Sequence, residues 1–94
     1  MKNNRWNLKG KLALVTGGTK GIGLSVVNEF LELGASVITV SRTEVDLNKL
    51  AATCSEPGKL KTFKADISNS NDRTELLRYV HEQWSHLDIL AHLF

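Results

Sequence analysis

Residues 12–23 read Leu12-Ala13-Leu14-Val15-Thr16-Gly17-Gly18-Thr19-Lys20-Gly21-Ile22-Gly23. A compact apolar run passes into a glycine-rich loop and then into the first residues of a helix-period stretch. A short apolar run ending in glycine is what a strand buried on both faces looks like. From Ile22 onward the apolar residues recur as Ile22, Val26 and Phe30, with Leu24, Val27 and Leu31 beside them. That wide stripe predicts a helix over 22–33 packed on a sheet, with Gly34 as its C′ stop. The glycines between strand and helix answer three demands: a sharp turn, close approach of backbone to a ligand, and tight packing of helix on sheet. The start of the helix turns its unpaired N–H groups and the positive end of its dipole toward the loop. A diphosphate is the natural occupant of such a place.

Working outward, the alternation continues. Val37 to Val40 is β-branched and predicts a second buried strand. Leu47, Leu50, Ala51 and Cys54 fall on one helical face, and Glu56-Pro57-Gly58 turns the chain. Leu60 to Ala65 predicts a third strand, with Lys61 and Lys64 pointing to an edge position. Asp72 followed by Glu75 reads as a capping box that opens a helix with Leu76 or Leu77, Val80 and Trp84 inward. Leu87 to Leu90 begins a fourth apolar run. The order is β-α-β-α-β-α-β, in which strands joined by helices pair in parallel. The expected fold class is therefore α/β, a Rossmann-like parallel sheet of three to four strands forming the first half of a doubly wound fold. One domain over 1–94 divides into an N-terminal arm (1–10), βα units (11–91) and a short tail (92–94).

Composition narrows the function classes. The 94 residues are 41% hydrophobic and 23% charged, which suits a soluble globular domain. No apolar run approaches the ~20 residues that span a bilayer, and no signal-peptide core follows the basic N-terminus. The net charge of +2 forms no basic stripe, which argues against a nucleic-acid partner. A single cysteine, Cys54, rules out an internal disulfide and suits a reducing compartment, so a cytoplasmic location is expected. Cys54 lies on an apolar helix face and reads as a small core residue rather than a nucleophile. His81, His86 and His92 lack ligand partners at metal-binding spacing, so no metal site is expected.

The loop spacing is G-x-x-x-G-x-G, neither the G-x-G-x-x-G fingerprint nor a Walker P-loop. Thr16-Gly17 through Gly21-x-Gly23 after a first strand resembles the short-chain dehydrogenase/reductase family. The run from Trp6 to Thr19 is similar to the opening of its tropinone-reductase-like members. Asp66-Ile67 after the third strand resembles the family's Asp-plus-aliphatic motif, which implies a role at the adenine pocket. Leu87-Asp88-Ile89-Leu90 resembles the lead-in to its fourth strand. An NAD site usually has an acidic residue about 20 residues past the loop, whereas this chain has Ser41-Arg42 there. A guanidinium at that place suits a 2′-phosphate, with Ser41 adding a hydrogen bond. The resemblance implies that Lys20 reaches the same phosphate. The expected cofactor is NADP(H), held by Gly17, Thr19, Lys20, Gly21, Ile22, Gly23, Ser41, Arg42, Asp66 and Ile67.

The family's catalytic serine and Tyr-x-x-x-Lys pair have no counterpart here. Tyr79 is the only tyrosine, Gln83 lies four residues on, and no lysine follows Lys64. Tyr79, Trp6 and Trp84 read as packing or surface residues. Where the family continues Asn-Asn-Ala-Gly, this chain reads Ala91-His92-Leu93-Phe94. The expectation is an NADP(H)-binding portion of a reductase of small carbonyls or alcohols, catalytically incomplete at this length. The alternative is a non-catalytic nucleotide-binding or interaction module, pairing with itself or a full-length relative through an uncovered sheet edge. A truncated translation product is the third reading.

Overall fold

The computed structural model describes residues 7–17, 21–54 and 56–92. The four apolar runs form strands β1 (Leu12–Thr16), β2 (Ser36–Ser41), β3 (Leu60–Lys64) and β4 (Ile89–His92). Between them lie helices α1 (Gly21–Glu32), α2 (Glu44–Thr53) and α3 (Ser70–Gln83), with a 3-10 turn at Pro57–Lys59. All neighbouring strands pair in parallel, in the order β3-β2-β1-β4. β1 sits inside the sheet with Leu14 opposite both Ile38 and Leu90, and β3 takes the edge that its lysines indicate.

Side chains alternate across a strand, so each strand feeds two cores. Ala13, Val15 and Val37 pack with Val27 and Leu31 of α1 and Leu50 of α2. Leu14, Ile38 and Val40 pack with Leu76 and Val80 of α3 on the other face. The change of face follows from the change of direction. The chain steps β1 to β2 to β3 one way and then returns past both to β4, and a crossover of constant hand must then pass over the opposite face. The one buried hydroxyl left without a partner among the described residues is that of Thr39. It sits in the middle of β2, where an unpaired polar group costs about 1–3 kcal/mol.

Three details depart from the expected pattern. The buried line of α1 runs through Gly23, Val27 and Leu31, while Ile22 is 77% exposed. The buried line is thus displaced by one position from Ile22, Val26 and Phe30. In α2 the buried residues are Leu47 and Leu50, whereas Ala51 is exposed and Cys54, just past the helix, packs only partly on the first core. The capping box also shifts by three residues. Asn69 is the N-cap of α3 and its side chain accepts from the Asp72 amide at 3.0 Å, while Glu75 pairs with Arg78 on the surface. Leu76 is the inward leucine, Leu77 is 66% exposed, and Trp84 packs beside the second core.

The amino-terminal end of the strand frame is pinned at two places. At the start of the sheet, Asp88 Oδ2 accepts from the Leu12 amide at 2.9 Å, and the Asp88 amide donates to the Leu12 carbonyl. The Leu12 amide holds the Asp88 carboxyl below the usual carboxylate range, helped by His86 and Lys11. At the end of α1, Gly34 has φ +102° and donates to Leu31, while Ala35 donates to Phe30. This is a Schellman ending, with Ala35 and Phe30 both packed in the first core. A Cβ on Gly34 would meet the Lys9 backbone at 3.1 and 3.2 Å. Gly34→Ala is therefore expected to cost more than about 1 kcal/mol, read as a lower denaturant midpoint at unchanged m-value.

Candidate functional site

Because every strand runs the same way, the loops after β1, β2 and β3 open on one edge of the sheet. Together they line a cleft of about 790 Å³. That volume lies in the range of small-molecule sites. Thr16, Gly17, Gly21 and Ile22 come from the first loop, Val40 to Thr43 and Asp46 from the second, and Ala65 to Ser68 from the third. Backbone bonds lace the strand ends together: the Gly17 amide donates to Val40 at 3.3 Å and the Ala65 amide to Ser41 at 2.9 Å.

The first loop requires its glycines. Gly17 and Gly21 have φ of +76° and +56°, in the left-handed region that glycine enters without a side-chain clash. α1 begins at Gly21 with no acidic residue in its first turn, so nothing there offsets the positive end of its dipole. Ile22, at the mouth of the helix, lines the cleft instead of the core, and Gly23 is buried beneath it. Thr19 and Lys20 lie outside the described residues.

The second loop carries the positive charge. The Ser41 hydroxyl accepts from the Thr43 amide at 3.3 Å, leaving its own proton to donate. Among the described residues the exposed Arg42 guanidinium is in no ion pair. A carboxylate that sequence reasoning missed lies nearby: Asp46 lines the same wall and accepts from the Thr43 hydroxyl at 2.7 Å. The helical spacing from Thr43 to Asp46 was its only signal in the sequence.

The third loop supplies an acceptor. Asp66 Oδ1 accepts from both the Ser68 hydroxyl (2.6 Å) and the Ser68 amide (3.0 Å). These bonds hold the carboxyl below its usual range. Partial desolvation opposes them and the Arg42 charge adds to them. Ile67 stands next in the wall. The amino end of α1, the Arg42 cation with the Ser41 hydroxyl, and the Asp66 carboxylate thus follow one another over β1, β2 and β3. Groups of these kinds could hold a dinucleotide's diphosphate, a 2′-phosphate and a purine amine in turn.

One residue beside this cleft has an unexpected role. His92 closes β4 rather than belonging to a tail, and its Nδ1 lies 2.6 Å from the Thr16 hydroxyl across the strand pair. Tyr79 stacks on Phe63 with centroids 4.8 Å apart, a packing role as expected.

Comparison with known proteins agrees with this fold. The family model described as short chain dehydrogenase matches residues 11–92. A tropinone reductase homolog of Datura stramonium is 41% identical over 83 residues, covering 83% of this chain and 30% of its own length. The tropinone reductase homolog At1g07440 of Arabidopsis thaliana is 40% identical over 91 residues, covering 95% and 34%. Among solved structures, the Pseudomonas aeruginosa RhlG/NADP active-site complex superposes with TM-score 0.85 at 32% identity, covering 95% of this chain and 35% of that one. The crystal structure of gox2181 gives TM-score 0.86 at 31% identity, with the same coverage. The chain spans about a third of the length of these proteins.

The Asp66 geometry has a measurable consequence. A carboxyl whose folded-state pKa is depressed stabilises the fold above its unfolded value near ~3.9, and that contribution is lost as pH falls through the folded value. Titration of the Asp66 carboxyl by NMR should place it below the ordinary aspartate range. Ser68→Ala should move it upward, because the largest depressing interaction is then gone.

Proposed function

The chain belongs to the short-chain dehydrogenase family, and on that footing we propose that it binds NADP(H) through the adenosine side of the cofactor. The observation that carries this reading is the placement of Ser41 and Arg42 in one cleft with the glycine loop. The β2 end carries a hydroxyl and a cation where an NAD site usually has a carboxylate. Lys20, Thr19, Gly17, Gly21, Ile22 and Gly23 would serve the diphosphate and the 2′-phosphate, and Asp66 with Ile67 the base. Asp46 lies in the same wall, so the Arg42 contact acts against a nearby negative charge. By analogy with the tropinone reductase homologues, the parent activity is hydride transfer between NADPH and a small carbonyl or alcohol. These 94 residues contain no Tyr-x-x-x-Lys, so the activity proposed for the chain itself is binding, without turnover.

Thermal unfolding tests this. NADPH and 2′-phospho-ADP should raise the midpoint, and NADH should raise it much less. Arg42→Ala should weaken the phosphorylated ligands about tenfold, the lower end for one charge-assisted bond at an exposed site, and leave NADH unchanged. Equal shifts with all ligands, or steady NADPH oxidation on a carbonyl panel, would contradict the proposal.

One observation favours a second reading. Leu90 of β4, on the edge of the sheet, is 64% exposed, and Leu77 of α3 is similarly open. An edge strand with apolar side chains invites pairing with another chain. On this reading, light scattering after size exclusion shows a dimer or larger species, and a monodisperse monomer rejects it.

A further inference from the structure

We infer that Arg73 is a positioning residue for the base-binding end of the cleft, acting through Asp66 and Ile67. This rests on the NADP(H) reading above and adds a residue to it that lies outside the cleft wall. The base end sits over β3, the edge strand, which has a neighbour on only one side. The segment leaving β3 therefore receives little support from the sheet, the Ala65 amide on Ser41 being its tie to β2.

The first turn of α3 supplies what the sheet does not. The Asp66 amide donates to Asp72 Oδ2 at 2.7 Å, and the Asn69 amide donates to the Asp66 carbonyl at 2.9 Å. Arg73 Nη1 donates to the Ile67 carbonyl at 2.8 Å, reaching back six residues. Both peptide groups flanking Asp66 and Ile67 are thereby held from the helix, and the two Ser68 bonds then fix Asp66 Oδ1. Oδ2 is left to accept from a ligand. Asp72 cannot be assigned to positioning alone, because its amide is also capped by Asn69 at the helix start. Arg73 can. Its side chain is exposed and is in no ion pair among the described residues, so its one polar contact here is the Ile67 carbonyl.

A carboxylate oxygen held in this way accepts from the exocyclic amine of adenine and opposes the carbonyl of hypoxanthine. The test compares binding of NADPH with binding of reduced nicotinamide hypoxanthine dinucleotide phosphate, for the full chain and its Arg73→Ala and Arg73→Lys variants. The wild type should prefer adenine. Arg73→Ala should reduce that preference about three- to tenfold, the fold-change of one lost side-chain hydrogen bond. Arg73→Lys should restore part of it; the unliganded melting temperature falls by the few degrees that one hydrogen bond accounts for, and the base preference, being a ratio of two affinities, does not carry that loss. An unchanged preference in Arg73→Ala, or equal losses for both dinucleotides, overturns the inference while leaving the cofactor reading intact. Wild-type binding without base preference also overturns it. If the wild type binds neither dinucleotide, the cofactor reading fails and this inference fails with it.

Discussion

The rest of the structure depends on the burial of β1 between two parallel neighbours. Ala13, Leu14 and Val15 are almost wholly removed from water, and the strand pairs with β2 on one side and β4 on the other. A strand so placed must satisfy its backbone within the sheet and pack helices on both faces. Parallel pairing in turn obliges the chain to cross over after each strand. Those crossovers are α1, α2 and α3, and their loops all emerge at the same sheet edge. The cleft is a result of this geometry. It lies where the carboxyl ends of an open parallel sheet gather loops, beside the point where strand order reverses between β1 and β4.

Along that edge the chemistry is graded. Backbone amides and a helix dipole stand over β1, a guanidinium and hydroxyl over β2, and a carboxylate over β3. No single feature of this set identifies a ligand, since a glycine turn or a surface arginine is common in isolation. On the NADP(H) reading proposed above, their order across adjacent strands corresponds to the order of groups along one half of a phosphorylated dinucleotide. The wall is not uniformly positive, because Asp46 and Asp66 line it together with Arg42.

Much of this was legible in the residues. The β-branched and apolar runs at 12–16 and 37–40 mark buried strands because only a strand covered on both faces tolerates such continuous hydrophobicity. The two lysines of 60–64 mark an edge because a buried strand has no water for them. Periodicity was less reliable at helix starts. Ile22 belongs by spacing to the apolar stripe of α1, yet it opens into the cleft, because the buried line runs through Gly23 and a glycine leaves no mark in a hydrophobic pattern. The cap of α3 lies three residues before the one the spacing suggests, since Asn69 with Asp72 and Asp72 with Glu75 have the same acid-at-third-position spacing. Only the backbone decides which one starts the helix. Asp46 and Ser68 are not legible in the sequence, because their relevance comes from neighbours that are near in space and unremarkable in sequence.

The sequence by itself determined the alternation of strands and helices, the parallel sheet, the glycine loop and the Ser41-Arg42 pair. All of these are encoded within a few consecutive residues by hydrophobic period, turn chemistry and charge. The tertiary structure alone decided the rest. It set the β3-β2-β1-β4 order, the meeting of Thr16 with His92 across 76 positions, and the convergence of three loops on one cleft. It also placed α3 so that its first turn braces the segment after β3. These depend on which strands lie side by side, and that choice is made by long-range packing, of which local sequence carries no record.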